Sequence, residues 1–255
     1  MNREELISLA LKYEGNYRRM YQAIKQKEKV EERRYEGNAL TILDERYPKE
    51  LLELKEPPLV LFYEGDLSLL NSNKIAVVGS RTPSRYGKSV TERICQTLSG
   101  SITLISGMAK GIDALVHKSC LPFGKTIGVL GCGIDYIYPW ENEKLYAEMK
   151  LTQLLLSEYP AKIPPYKYNF PFRNRIIAAL GKVLIVTEAS MKSGTFLTVN
   201  EALNLNRDVY VVPYPLIDEI SGCNYLIQQG ANILCEFSEV EKLQNLFDKD
   251  QTLSL

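Results

Sequence analysis

The chain has 255 residues, of which 45% are hydrophobic and 24% charged, and 31 Lys and Arg balance 31 Asp and Glu. That length suits one large domain, or a core domain with a small attachment. A net charge of zero excludes a globally basic surface, so any affinity for a polyanion has to come from local clustering.

The N-terminal segment MNREELISLALKYEG is charged from the outset and lacks the apolar core of a signal peptide. Leu6, Leu9, Ala10 and Tyr13 recur at helical spacing, as do Tyr17, Met20, Tyr21 and Ile24, which predicts two short amphipathic helices. Glu14-Gly15-Asn16 is a turn signal between them. The mixed charges of residues 25–34 predict a solvated helix face. Tyr47-Pro48 and Pro57-Pro58 then punctuate the chain ahead of an apolar, strand-like run at 59–63. Together these features predict a small helical domain and linker over residues 1–62.

From Lys74 onward the pattern becomes strand, loop, helix, repeated. Short β-branched runs predict strands at 75–78, 102–105, 126–130, 154–156, 183–186 and 209–212. They are apolar on both faces, as parallel strands covered by helices on each side must be. Helices are predicted at 87–98, 113–120, 173–180 and 196–206. This alternation predicts an α/β fold with a mostly parallel, doubly wound sheet over residues 63–240, followed by a polar tail at 241–255. In such sheets ligands bind beyond the carboxyl ends of the strands.

Each predicted strand runs into a loop of small or charged residues. The loops are Gly79-Ser80-Arg81, then Ser106-Gly107 leading to Lys110-Gly111, then Gly131-Cys132-Gly133, and finally Thr187-Glu188 leading to Ser193-Gly194-Thr195. Loops of this kind present backbone N–H groups at helix N-termini, which attract phosphate. Several converging on one sheet edge predict a pocket for an anion or a nucleotide backbone. No GxxxxGK[ST] occurs, and Tyr136 stands where a dinucleotide fingerprint starting at Gly131 needs its third glycine. No ATP or NAD cofactor is therefore expected.

A second cluster, Tyr166-Lys167-Tyr168-Asn169-Phe170-Pro171-Phe172-Arg173-Asn174-Arg175, interleaves rings with cations. Residues 161–207 hold seven Lys or Arg against two Glu, a basic region in a neutral chain. Stacked rings plus phosphate neutralisation hold single strands without reading their sequence. Lys167, Phe170 and Arg173 are the favoured ligand contacts; Phe172 and Arg175 could equally be core anchors. Asp113 reads as a helix N-terminal residue, and Glu158 as either a cleft carboxylate or a strand-end acid. The lone His117 cannot furnish a zinc site and reads as structural. The five cysteines are odd in number and lack CxxC spacing, which predicts reduced thiols in a cytoplasmic protein. No apolar stretch approaches membrane-spanning length.

In order and spacing these segments resemble the DNA processing protein A (DprA/Smf) family. The resemblance runs from about Leu43 to Phe237 and includes SGMAKGIDALVH, GVLGCGIDYIYP, SEYP, FPFRNRIIAAL and EASMKSGTFLT. It implies an extended Rossmann-like domain, an N-terminal helical SAM-like domain and a homodimer. It also implies single-stranded DNA as ligand and delivery of that strand to the RecA recombinase in natural transformation, with no chemistry performed. In that family the strand's phosphates occupy the Gly-Ser-Arg loop, which is Gly79, Ser80 and Arg81 here. The lysine before the Phe-Pro pair, Lys167, contacts DNA and Phe170 lies beside the bases. Ser106, Gly107, Lys110, Gly111, Gly131, Gly133, Arg173, Asn174, Ser193, Gly194 and Thr195 complete the expected binding set. The winged-helix domain carried by many members is expected to be absent. An enzymatic alternative is a nucleotide phosphoribohydrolase, faintly suggested by Ser193-Gly194-Thr195 with Glu201 six residues on.

Overall fold

A computed structural model describes residues 1–216 and 221–247 of the chain. Among the described residues one sheet carries nine strands: β1 (Asn38–Thr41), β2 (Val60–Gly65), β3 (Lys74–Val78), β4 (Thr103–Gly107), β5 (Lys125–Leu130), β6 (Leu154–Ser157), β7 (Val183–Val186), β8 (Asp208–Val211) and β9 (Asn232–Ile233). Their spatial order is β1-β2-β6-β5-β4-β3-β7-β8-β9. The pairs from β6 across to β9 are parallel, while β1–β2 and β2–β6 are antiparallel. The chain therefore steps outward from β3 to β6 on one side, then returns to place β7 on β3's other flank. Between β3 and β7 lies the topological switch point, where the carboxyl ends of the strands open into a crevice.

The helices are α1 (Arg3–Lys12), α2 (Tyr17–Lys25), α3 (Arg85–Leu98), α4 (Ile112–Cys120), α5 (Glu143–Thr152), α6 (Asn169–Leu180), α7 (Thr195–Asn204), α8 (Gly222–Gln228) and α9 (Phe237–Lys242). Strand side chains alternate between the two faces. Ile75 and Val77 of β3 pack with Ile94 and Leu98 of α3 and with Val116 of α4, while Ala76 and Val78 pack with Ile177 of α6 and Val199 of α7. Each fully buried aliphatic side chain contributes about 1.5–3 kcal/mol, which is why the strands read as unbroken apolar runs. Local signals set the helix ends. The Ser84 side chain accepts a hydrogen bond from the Gly87 N–H at 3.0 Å and caps α3. Asn2 and Glu5 form a reciprocal capping box on α1.

Five differences from the sequence reading matter. The boundary expected at residue 62 falls inside β2, and β1 adds an edge to the same sheet. Leu6, Leu9 and Met20 of the N-terminal helices share a core with Phe62, Tyr146 and Leu155, so residues 1–62 have no core separate from the sheet. The charged run 25–34 is not helical beyond Lys25, since Lys27 takes a left-handed φ of 51° that ends the turn. Helix α6 begins at Asn169, four residues earlier than predicted, because Pro171 is tolerated in a first helical turn. The expected tail from residue 241 continues as the end of α9 and a 3-10 turn, Leu243–Leu246, with Leu243 buried against the core; residues 248–255 lie outside the described residues.

Candidate nucleic-acid interface at the switch point

The loops after β3 and β7 and the N-termini of α6 and α7 enclose a cleft of about 380 Å³ at the switch point. Glycine at two positions lets the loops meet. Gly111 caps α4 with φ +78°, and a side chain there would collide with the backbone of Ser80 and Arg81. Its closeness allows the Ile112 N–H to donate to the Ser80 carbonyl at 3.0 Å, fixing the Gly-Ser-Arg loop against α4. From the other side the Glu188 carboxylate, just past β7, accepts from the Ser84 N–H at 3.0 Å. The Thr195 hydroxyl donates to the Gly79 carbonyl at 3.3 Å and lies 2.8 Å from the Ser193 hydroxyl. The loop is thus tied to β7, α4 and α7, while the Arg81 side chain itself stays exposed.

Three cations, Arg81, Arg173 and Lys192, line this cleft against one carboxylate, Asp113. The cleft is therefore basic by two charges, three minus one, in a chain with no net charge. Asp113 and Arg173 are both buried and face each other across Gly107, where a Cβ would collide with both. Burial pushes the Asp113 carboxyl above its ordinary range, against the pull of Arg173 and of hydrogen bonds at Ala109 and Ser106. Burial likewise lowers Arg173 from its ordinary value, partly offset by Asp113. The Arg173 guanidinium also donates to the Val129 carbonyl and to Asn174 Oδ1, the latter at 3.1 Å. It is a fixed charge in the floor of the cleft rather than a mobile contact. The Phe170 ring stands at the rim, half-buried, against Gly131 on one side and tilted on Tyr138 at 5.6 Å between centroids.

The structure brings Gly79, Ser80, Arg81, Phe170, Arg173, Asn174, Ser193, Gly194 and Thr195 into this one cleft. Lys110 and Gly131 line a smaller, adjoining hollow of about 100 Å³ that shares Arg81, Phe170 and Arg173 with it. The other expected residues sit elsewhere. The buried Ser106 hydroxyl donates to the Val77 carbonyl at 2.7 Å, Gly107 spaces Arg173 from Asp113, and Gly111 shapes the loop from behind. The Gly133 N–H donates to the Ile163 carbonyl at 2.8 Å, away from the cleft. Lys167 is exposed between Tyr166 and Tyr168, whose rings stack at 5.4 Å, and lies outside the cleft lining. Lys192 is the cleft cation that sequence reasoning passed over. It lies inside the quoted MKSGTF stretch, but only the fold brings it to the cleft that Arg81 lines.

The remaining candidates resolve as structural groups. His117 is fully buried, with Nε2 2.7 Å from the Gly107 carbonyl and Nδ1 2.7 Å from the Thr126 hydroxyl, and burial pulls its pKa down to about 4. It links β4 to β5 beneath the cleft. Glu158 is a buried strand-end acid whose Oε1 accepts from Arg175 Nη2 at 2.8 Å. The Arg175 guanidinium also covers the Phe172 ring at 3.7 Å, so both of those residues are anchors. Cys95, Cys120, Cys132 and Cys223 are buried free thiols, and Cys235 is free and exposed. Among the described residues no group of three His, Cys, Asp or Glu is placed to hold a metal, and no helix is long and apolar enough to cross a membrane.

Comparison with known proteins agrees with this architecture. The chain is 43% identical over 204 residues to DNA processing protein DprA of Streptococcus pneumoniae, covering 79% of this chain and 72% of that protein. The X-ray structure of the S. pneumoniae protein superposes with a TM-score of 0.77 and 35% identity, over 95% of this chain and 92% of that one. A structure of DNA processing protein A from Helicobacter pylori, described for its single-stranded DNA binding mode, superposes with a TM-score of 0.75 and 32% identity. It covers 84% of this chain and 98% of that one. Across the curated relatives it matches, the chain spans between 48% and 72% of the relative's length. Matching its profile over residues 38–245, the chain belongs to the DNA recombination-mediator protein A family.

Proposed function

We propose that this protein binds single-stranded DNA in the switch-point cleft and passes the strand to the RecA recombinase, working as a cytoplasmic homodimer and performing no chemistry on the strand. The observation that carries the reading is the cleft itself. Arg81, Lys192 and the buried Arg173 supply charge, the α7 N-terminus supplies backbone donors, and Phe170 at the rim supplies a face for a base. The single-stranded DNA binding described for the H. pylori relative, 32% identical, supports the same ligand here. Phosphate contacts of this type carry no sequence information, which suits a protein that must accept any incoming strand. Two clefts in a dimer would raise the effective concentration of the second contact on one strand.

The phosphoribohydrolase alternative needs a carboxylate at the phosphate loop. Glu201 lies on α7 outside the cleft lining, and Asp113, which does line the cleft, is buried facing Arg173.

The test is fluorescence anisotropy of a labelled oligothymidylate titrated with wild type and Arg81→Ala at two salt concentrations. Affinity should fall by about 0.7 log units per tenfold salt for each phosphate neutralised. The variant should bind every sequence more weakly. Absence of binding, or binding indifferent to Arg81, would overturn the proposal. RecA filament growth on a strand already bound by this protein, faster than on one held by an unrelated binding protein, is the second arm.

A further inference from the structure

The loop after β5 carries three large aromatic side chains that the described structure leaves in solvent: Tyr136 at 39%, Tyr138 at 44% and Trp140 at 65% exposure. Exposed rings on a wandering loop would mean little, but the backbone beneath these is firmly held. The buried Tyr146 hydroxyl donates to the Tyr138 carbonyl at 2.9 Å, and the buried Asn142 amide donates to the Met108 carbonyl at 3.0 Å. The fold fixes the loop from inside and turns its rings outward. Aromatic faces presented rigidly to water are a stacking surface awaiting a flat partner.

Their position names that partner. The cleft at Arg81 opens into the smaller hollow bounded by Phe170, Lys110 and Tyr138. That hollow in turn shares Lys110, Tyr138 and Pro139 with an open groove of about 590 Å³ floored by Tyr136 and Trp140. The three are continuous, and rings occur along the whole way: Phe170 first, tilted on Tyr138 at 5.6 Å, then Tyr138, then Trp140. A cation accompanies each end, Arg81 at the cleft and Lys110 at the groove, where Lys110 pairs with Glu141. Resting on the single-strand reading above, we infer that this groove is a second subsite in which the bases of the strand leaving the cleft stack on Tyr138 and Trp140. The Lys110 ammonium exchanges Glu141 for a phosphate as the strand enters. Stacking on π faces accepts any base, so the subsite extends the contact without adding sequence preference.

Trp140 is the only tryptophan in the chain, so the protein carries its own reporter. Intrinsic tryptophan emission is followed while wild type is titrated with oligothymidylates of about four and about twenty nucleotides, in parallel with anisotropy of the labelled strands. The longer strand should quench the emission, and the shorter, held in the cleft, should leave it nearly unchanged. Trp140→Ala should weaken the longer strand by about tenfold or more and leave the shorter within about twofold, while Trp140→Phe recovers most of the loss. Ring-exposed Trp140 has no core role, so its circular dichroism and melting should match wild type. Binding that depends on Arg81 with no quenching and no effect of Trp140→Ala would overturn this subsite and leave the cleft intact. Absence of any Arg81-dependent binding would overturn the cleft as well. Wild-type emission that DNA leaves unquenched, together with a changed oligomeric state in Trp140→Ala, would assign the groove to a protein contact instead.

Discussion

Arg81 stands over the face of Phe170, its guanidinium carbon 5.8 Å from the ring centroid. The two come from opposite halves of the doubly wound sheet, one from the loop after β3 and the other from the first turn of α6. The exposed cation and the ring that the proposal above assigns to phosphate and base thereby stand side by side at the cleft.

Phe170→Ala should weaken single-stranded DNA by about 1–3 kcal/mol, alike for oligothymidylate and oligoadenylate, because a ring face is removed and no hydrogen-bonding edge. Anisotropy with both strands checks it. A loss confined to one base would contradict the stacking role.

Gly111→Ala is expected to impair binding without touching the ligand. The residue is left-handed at φ +78°, where a Cβ costs about 1 kcal/mol or more, and the added methyl would collide with the Ser80 and Arg81 backbone. The variant should bind oligothymidylate markedly more weakly, with a melting temperature only a few degrees lower. Unchanged affinity would show that the loop can relax around the methyl.

Acid should destabilise the fold through His117. Its folded pKa, near 4, lies below the ordinary value of about 6.5, so between those values the unfolded chain binds more protons. The stability contributed by the neutral ring is complete above about pH 6.5 and lost as pH falls toward 4, by on the order of 3 kcal/mol. Asp113 and Glu158, whose carboxyls burial pushes up, act in the opposite sense, so the contrast is drawn against His117→Gln. Urea midpoints at about pH 7, 5.5 and 4.5 should fall more steeply for wild type than for the variant; parallel profiles would remove His117 as the cause.

Arg175→Met should cost about 3–5 kcal/mol, since it strands the Glu158 carboxylate in a site where both partners of the pair are only 4–6% exposed. Adding Glu158→Leu to that variant should recover much of the loss, because the double change leaves no buried charge. Thermal melts of the single and double variants check this, and a double variant no better than the single would argue against the charge as the source.

Much of this protein is legible in its sequence because the physics involved is local. Apolar runs of four to six residues with helical stretches between them specify a covered parallel sheet, and the glycine-rich ends at 79–81, 131–133 and 193–195 mark where those strands stop. The order of these segments, with FPFRNR and SGMAKG in their places, also identified the family. What the sequence left open depends on partners far apart along the chain. Nothing near Arg173 says that its guanidinium will be buried on the Val129 carbonyl, 44 residues away, whereas Lys192, lining the same cleft, stays exposed. The edge strand β1 has too short an apolar run to announce itself, and it is a strand because β2 offers it hydrogen bonds. Burial decides whether a charged or aromatic residue is scaffold or contact, and burial is a property of the whole fold. Sequence therefore determined the sheet, its open end and the loops that meet there; only tertiary packing determined that Arg81, Lys192 and Phe170 line an open cleft while Arg173, Arg175, Glu158 and His117 are buried among protein partners.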